Sequence, residues 1–323
     1  MTTSFTIAQT EEINIDATNF PDANFRNWIL SQSYGADGKL TASEISSITF
    51  IYVSVNAISS LKGIEHFTSL EILFCNNNQL TSLDVSKNTA LTELYCYKNQ
   101  LTSLDVSKNT TLTSLWCDNN QLTSLDVSKN TALTDLICYE NQLTSLDVTK
   151  NTALFWLSCW NNRLTSLDVS KNTALKLLYC SANQLTSLDV SENKALTTLD
   201  CYDNQIRGAA MDALINSLPQ NQTADEHEFS VIDNNENDEG NVCTIAQVAA
   251  AKAKGWRPLY WNGKEWTDYE GSDEMTEEIE IIELSDGFMN SPREDYYDLH
   301  GRRMSQPAKK GIYIRNGKKV LVR

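Results

Sequence analysis

The apolar positions of this chain fall into a fixed register before any single motif stands out. From Leu80 the pattern LxxLxV, a polar stretch and LxxLxCxxN recurs every 21 residues, with full copies starting at Leu80, Leu101, Leu122, Leu143, Leu164 and Leu185. A looser copy begins at Ile58, and a worn one passes through Ile48, Ile51 and Val53. Cys75, Cys96, Cys117, Cys138, Cys159, Cys180 and Cys201 keep the same period. Such a period marks a solenoid, because no copy can bury its apolar set alone and each must stack on its neighbours.

Placing Leu94 and Cys96 inward on a short strand sends residues 93, 95 and 97 outward, since side chains alternate faces. One such strand per turn gives a continuous parallel sheet, with Leu91, Leu101, Leu104 and Val106 filling the rest of each turn. Ahead of the repeats, FPDANFRNWIL predicts a helix starting at Pro21 and Asp22, with Phe25, Trp28 and Ile29 on one face. Thr41 to Glu44 reads as a capping box. After the repeats, Met211, Leu214, Ile215 and Leu218 predict a helix that stops before Pro219. EFSVID predicts a strand, Thr244 to Gln247 opens a helix ending at Gly255, and WRPLYWNGKEW predicts a strand and turn. Near the C-terminus, IYI and VLV flank Asn316-Gly317, a hairpin signal.

The 58–205 pattern resembles the leucine-rich repeat family, and its copies are similar to internalin-like repeats of bacterial extracellular proteins, with Cys where Leu is commoner. The resemblance implies a curved, right-handed leucine-rich repeat solenoid with the parallel β-sheet on its concave face. The segment DVSKNTA leaves little room for a helix, so extended or 3-10 turns are expected on the convex side. Asn78, Asn99, Asn120, Asn141, Asn162, Asn183 and Asn204 resemble the family's asparagine ladder, each amide bonded to backbone in a turn. Residues 33–44, SYGADGKLTASE, resemble a calcium-binding EF-hand loop at Asp37, Gly38 and Glu44. Ser33 and Gly35 stand where strong oxygen ligands belong, so a structural turn is expected there. In the tail, DLHGRR, GIYI and VLVR resemble the C-terminal sorting modules of proteins exported by Bacteroidetes bacteria, including type IX secretion cargo. The expected division is a signal-peptide remnant at 1–8, a helical cap at 9–57, repeats at 58–205, an α/β cap at 206–271, an acidic linker at 272–290 and a β tail at 291–323.

A net charge of −16 argues against nucleic acid, whose phosphates need a basic surface. Residues 272–299 carry ten acids against Arg293 alone, whereas 301–323 carry eight bases and no acid, as expected of a linker and a separate module. No apolar run is long enough to span a bilayer. Thr6-Ile7-Ala8 before Gln9 reads as the end of a secretory signal peptide, so an extracellular or cell-surface location is expected. The cysteine column should hold free, buried thiols, because the strand spacing of about 4.8 Å exceeds the usual disulfide Cβ separation of about 3.8 Å. A flat ladder of thiols gives no tetrahedral cage, and His66, His227 and His300 lie in three different regions. No cofactor, metal or catalytic constellation is expected, and the chain reads as a non-enzyme.

The copies differ mainly at the outward strand positions. Through residue 93 the column runs Ile72, Glu93, Ser114, Asp135, Trp156, Leu177, Thr198. Through 95 it runs Phe74, Tyr95, Trp116, Ile137, Ser158, Tyr179, Asp200, and through 97 Asn76, Tyr97, Asp118, Tyr139, Trp160, Ser181, Tyr202. The strand-end position adds Lys98, Glu140 and Asp203. Tyr and Trp offer large, stiff contacts with a polar tip. The expected ligand-binding set is therefore Tyr95, Tyr97, Trp116, Asp118, Tyr139, Glu140, Trp156, Trp160, Tyr179 and Tyr202. A protein or peptide of host or bacterial origin is the expected ligand; a glycan stacked on Trp and Tyr, or a bare spacer role, are the alternatives.

Overall fold

The structure, a computed structural model, describes residues 12–221, 227–234 and 239–273, and the residues of five tail strands. The signal-peptide-like start, most of the acidic 272–290 segment and the Asn316-Gly317 turn lie outside the described residues. Contacts divide the chain into two compact units, Met1–Gly271 and Ser272–Arg323.

In chain order the first unit runs β1 (Ile13–Asn14), α1 (Ala23–Ser31), β2 (Lys39–Leu40), α2 (Ala42–Ser47), β3 (Phe50–Tyr52) and a 3-10 turn at Ile64–His66. The repeat strands follow: β4 (Ile72–Phe74), β5 (Glu93–Tyr95), β6 (Ser114–Trp116), β7 (Asp135–Ile137), β8 (Trp156–Ser158), β9 (Leu177–Tyr179) and β10 (Thr198–Asp200). Then come α3 (Ala209–Ser217), β11 (His227–Asp233), α4 (Ile245–Ala253), β12 (Trp256–Trp261) and β13 (Trp266–Asp268). One sheet of eleven strands runs from β3 to β13 in sequence order, parallel throughout except for the β12–β13 hairpin. The second unit is a five-stranded sheet of β14 (Glu280–Ile282), β15 (Tyr296–Tyr297), β16 (Arg303–Met304), β17 (Gly311–Arg315) and β18 (Lys318–Val322), with β17 and β18 antiparallel as their alternating runs predict.

The repeat strands pair in a strict 21-residue register, so Leu94 lies beside Leu115 and Leu115 beside Leu136. Every repeat Leu94, Cys96, Leu101 and Val106 equivalent is buried in one continuous core. On the far side of each turn, Asn88 N–H donates to the Val85 carbonyl and Leu91 N–H to that of Asn88. These short-span bonds are the tight turns expected of DVSKNTA.

Two asparagine ladders tie turn to turn. In the expected one, Asn120 Nδ2 donates to the Cys96 and Cys117 carbonyls, both at 3.1 Å, and its Oδ1 accepts from Leu101 N–H at 3.0 Å. The second was not anticipated. Asn88, Asn109, Asn130, Asn151, Asn172 and Asn193 are fully buried beneath the convex turn. Asn109 Nδ2 donates to the Val85 and Asn88 carbonyls of the preceding turn at 3.0 and 2.8 Å, and each following copy repeats the pair. Both ladders satisfy backbone acceptors that irregular buried turns would otherwise leave without partners. The eight cysteines are free and buried. Burial alone pushes the Cys159 thiol up to about 12, so the ladder behaves as small apolar filling.

Asp22 caps α1 through Asn24 and Phe25 N–H, and its other oxygen accepts from Ser59 and Ser60, fastening the helix to the first turn. Thr41 and Thr244 make the two capping boxes. In the EF-hand-like loop, Glu44 is spent on Thr41 and Asp37 accepts from Lys39 N–H. Gly35 is fixed by packing, since a Cβ there would run into the Ile29 carbonyl. At the other end, Asn241 extends the ladder by donating to the Cys201 and Val231 carbonyls. The structure also joins β11 and β12 to the repeat sheet, where the sequence suggested only an appended cap.

Asn130→Ala removes two bonds inside the second ladder and should lower unfolding free energy by about 1–3 kcal/mol in urea titrations. The neighbouring exposed Lys129→Ala should change it by less than about 0.5 kcal/mol.

Candidate functional site

The register turns the outward strand positions into true columns across the sheet's solvent face. Tyr52, Phe74, Tyr95 and Trp116 lie on consecutive strands, as do Glu93, Ser114, Asp135 and Trp156. All ten residues of the expected binding set except Asp118 are half-buried, because the rings cover one another. Phe74 and Tyr95 stack at 4.1 Å and 4°, Tyr95 meets Trp116 edge-on at 5.3 Å, and Trp116 meets Trp156 at 5.8 Å. That last contact bridges β7, and Ile137 on that strand is only 2% exposed. Trp156 then reaches Tyr179 at 6.4 Å. On the neighbouring column Tyr139 and Trp160 stack at 4.4 Å and 12°, while Tyr97 leans on Trp116 at 6.2 Å. At the N-terminal margin Phe50 and Tyr52 continue the row, each 52% exposed.

Sequence reasoning missed the row's other end. Trp266 contacts Tyr202 at 5.0 Å and Trp261 at 5.6 Å, so two cap tryptophans border the repeat columns. Trp256, by contrast, is buried and donates its indole N–H to the Pro219 carbonyl. The period-two alternation of WRPLYW was the available signal, but it does not say which sheet a strand joins.

The strand-end column carries local strain. Asn77, Lys98, Asn119, Glu140, Asn161, Ala182 and Asp203 all adopt left-handed backbone, with φ between 48° and 55°. Asn tolerates this conformation, whereas other residues there cost about 1–2 kcal/mol. Lys98 and Glu140 thus place charged side chains at the margin of the ring-lined face where Asn would be easier.

The acids of this face are held differently. Tyr95 Oη donates to Glu93 at 2.7 Å and Thr134 Oγ1 to Asp135 at 2.7 Å. Asp118 is 1% exposed despite its outward position, and burial raises its carboxyl above the ordinary range. Burial, opposed by a Ser230 hydrogen bond and reinforced by Glu228, pushes Asp200 up to about 6. Among the described residues no group of three or more His, Cys, Asp or Glu could hold a metal ion, and no helix is long and apolar enough to cross a membrane.

In comparisons with known proteins, residues 89–130 match the family described as Leucine Rich repeats (2 copies), and no curated protein matches the chain. The functional domain of InlJ from Listeria monocytogenes, which includes a cysteine ladder, is similar at 33% identity and a TM-score of 0.55. The match covers 75% of this chain and 55% of that one, so this chain spans about half the length of that structure. Internalin C2 from the same species shares the fold at 22% identity and a TM-score of 0.56, over 63% of this chain and 92% of that one. The ectodomain of the plant receptor kinase GASSHO1/SCHENGEN3 from Arabidopsis thaliana, in complex with CASPARIAN STRIP INTEGRITY FACTOR 2, shares it at 19% identity and a TM-score of 0.51, over 64% of this chain and 26% of that one. The fold is a leucine-rich repeat solenoid.

Asp200 has a folded pKa above its ordinary value of 3.8, so its ionisation opposes folding, and the penalty grows as pH rises from about 4 to about 6. Asp200→Asn should therefore stabilise the protein by about 1–3 kcal/mol at pH 7.5 and by almost nothing near pH 4, read from urea midpoints at the two pH values.

Proposed function

We propose that this chain is a non-enzymatic, exported or surface-displayed protein that holds a protein or peptide partner on the ring-lined face of its repeat sheet. The observation that carries the reading is the division of labour within each copy. Positions that stack, cap or bond the backbone are constant, while the three outward columns and the strained position beside them are rewritten turn by turn. A purely structural face would need only residues that suit a strand. Here the rewriting gives a row of contacting aromatic rings from Phe50 to Tyr179, with acids in the adjoining columns. Half-buried rings held by their neighbours lose little freedom on binding and present wide, rigid contact area, which suits a protein surface. The signal-peptide-like start and the sorting-module-like tail support export.

The test is selection of displayed peptides and proteins on the immobilised chain, with a glycan array as the competing arm. Trp156→Ala combined with Trp160→Ala should weaken a selected partner about 30-fold or more, as loss of central anchors does. Lys108→Ala with Lys129→Ala, on the convex side, should leave binding unchanged. Selected partners indifferent to the tryptophan pair but sensitive to the lysine pair would place recognition elsewhere.

A further inference from the structure

One carboxylate on the ring-lined face is anomalous. Asp118 lies two residues past β6, in the column between Tyr97 and Tyr139 of the adjoining turns, and it is 1% exposed. Its Oδ2 accepts from Asn119 Nδ2 at 3.1 Å, and the Tyr139 phenol also bonds the carboxylate. Oδ1 has no hydrogen-bond partner. Burying an acceptor of this kind without a partner is costly, and burying part of a charge more so. Lys98, on the preceding turn, acts on the carboxylate through its charge but forms no salt bridge with it among the described residues. Glu93 and Asp135, the other acids of these strands, are already bonded to Tyr95 and Thr134.

The surroundings are aromatic. Tyr97 and Tyr139 adjoin the carboxylate in its column, and each is backed by a tryptophan, Tyr97 lying 6.2 Å from Trp116 and Tyr139 stacking on Trp160 at 4.4 Å. Trp116 also leaves its indole N–H without an acceptor. Ring faces attract an organic cation, and a desolvated carboxylate supplies the charged hydrogen bond that fixes it. An anionic ligand is disfavoured by Glu93, Asp118, Asp135 and Glu140 on the same face.

We propose that Asp118, with Tyr97, Trp116, Tyr139 and Trp160, forms the subsite that receives the ammonium or guanidinium head of a Lys or Arg side chain from the partner. Tyr97, the neighbour on the preceding turn, is half-buried, and its hydroxyl makes no hydrogen bond among the described residues, so it is free to bond the incoming head group. This proposal rests on reading the face as a protein-binding surface, and it names the chemistry that surface selects.

The test uses the full chain with 15N-labelled tryptophan and blocked pentapeptides of glycine carrying Lys, Arg, norleucine or citrulline at the centre. The Lys or Arg peptide should shift the Trp116 and Trp160 indole signals saturably. Norleucine and citrulline should bind about tenfold more weakly or worse, since they keep the aliphatic stem and lose the charge. Asp118→Asn should weaken the basic peptide by about tenfold or more, whereas Asp126→Asn on the convex side should leave it unchanged. Equal shifts from norleucine and Lys and from citrulline and Arg, or full binding by Asp118→Asn, would overturn the proposal. The side-chain comparison needs no variant, so a folding defect cannot mask the answer. If selected partners depend on Trp156 and Trp160 but not on Asp118, the subsite fails while the binding face stands.

Discussion

The structure depends on hydrogen bonding between each turn and the next. A single 21-residue turn has one short strand and a few apolar side chains, too little to hold itself folded. Parallel strand pairing closes one side of the turn. Asparagine side chains then close the two irregular corners, at the Asn99 equivalents after the strand and at the fully buried Asn88 equivalents on the convex side. Each amide spans two turns, so a defect in one turn removes partners from its neighbour. That coupling is sufficient reason for the Leu, Cys and Asn positions to be the same in every copy.

The same constraint leaves the sheet's solvent face free. The first ladder meets residue 97 only at its backbone carbonyl, so the side chains at 93, 95 and 97 are left free to vary, and this is where the copies diverge. The result is a row of rings that shelter one another, with Glu93 and Asp135 bonded locally and Asp118 buried. The C-terminal cap is part of this surface, because β11 and β12 add strands to the sheet and Trp261 and Trp266 meet Tyr202. A cap that only covered exposed core would not need to extend the face.

Much of this was legible in the sequence. Period 21 gave the solenoid, alternation gave the inward Leu94 and Cys96, and Thr41 and Thr244 announced their helices through capping boxes. The Asn88 ladder was not legible, because Ser-Lys-Asn in a polar run looks like a solvated turn until the neighbouring turn's carbonyls are in place. Asp118 and Ile137 share a different reason. Alternation says that they point outward, but only the packing of the folded chain shows that they are covered. The membership of β11 and β12 in the repeat sheet was hidden because a strand's own pattern does not name its neighbour.

The central claim is that the constant positions carry the fold and the rewritten columns carry recognition. Urea unfolding of single substitutions in both sets measures this most directly, with Tyr139→Thr and Trp160→Thr compared against Leu136→Ala and Leu157→Ala. The expected result is a loss of about 0.5–1.5 kcal/mol for each ring and about 2–5 kcal/mol for each core leucine. Ring substitutions as costly as the leucine ones would show that the aromatic row is scaffold, and the claim would fall.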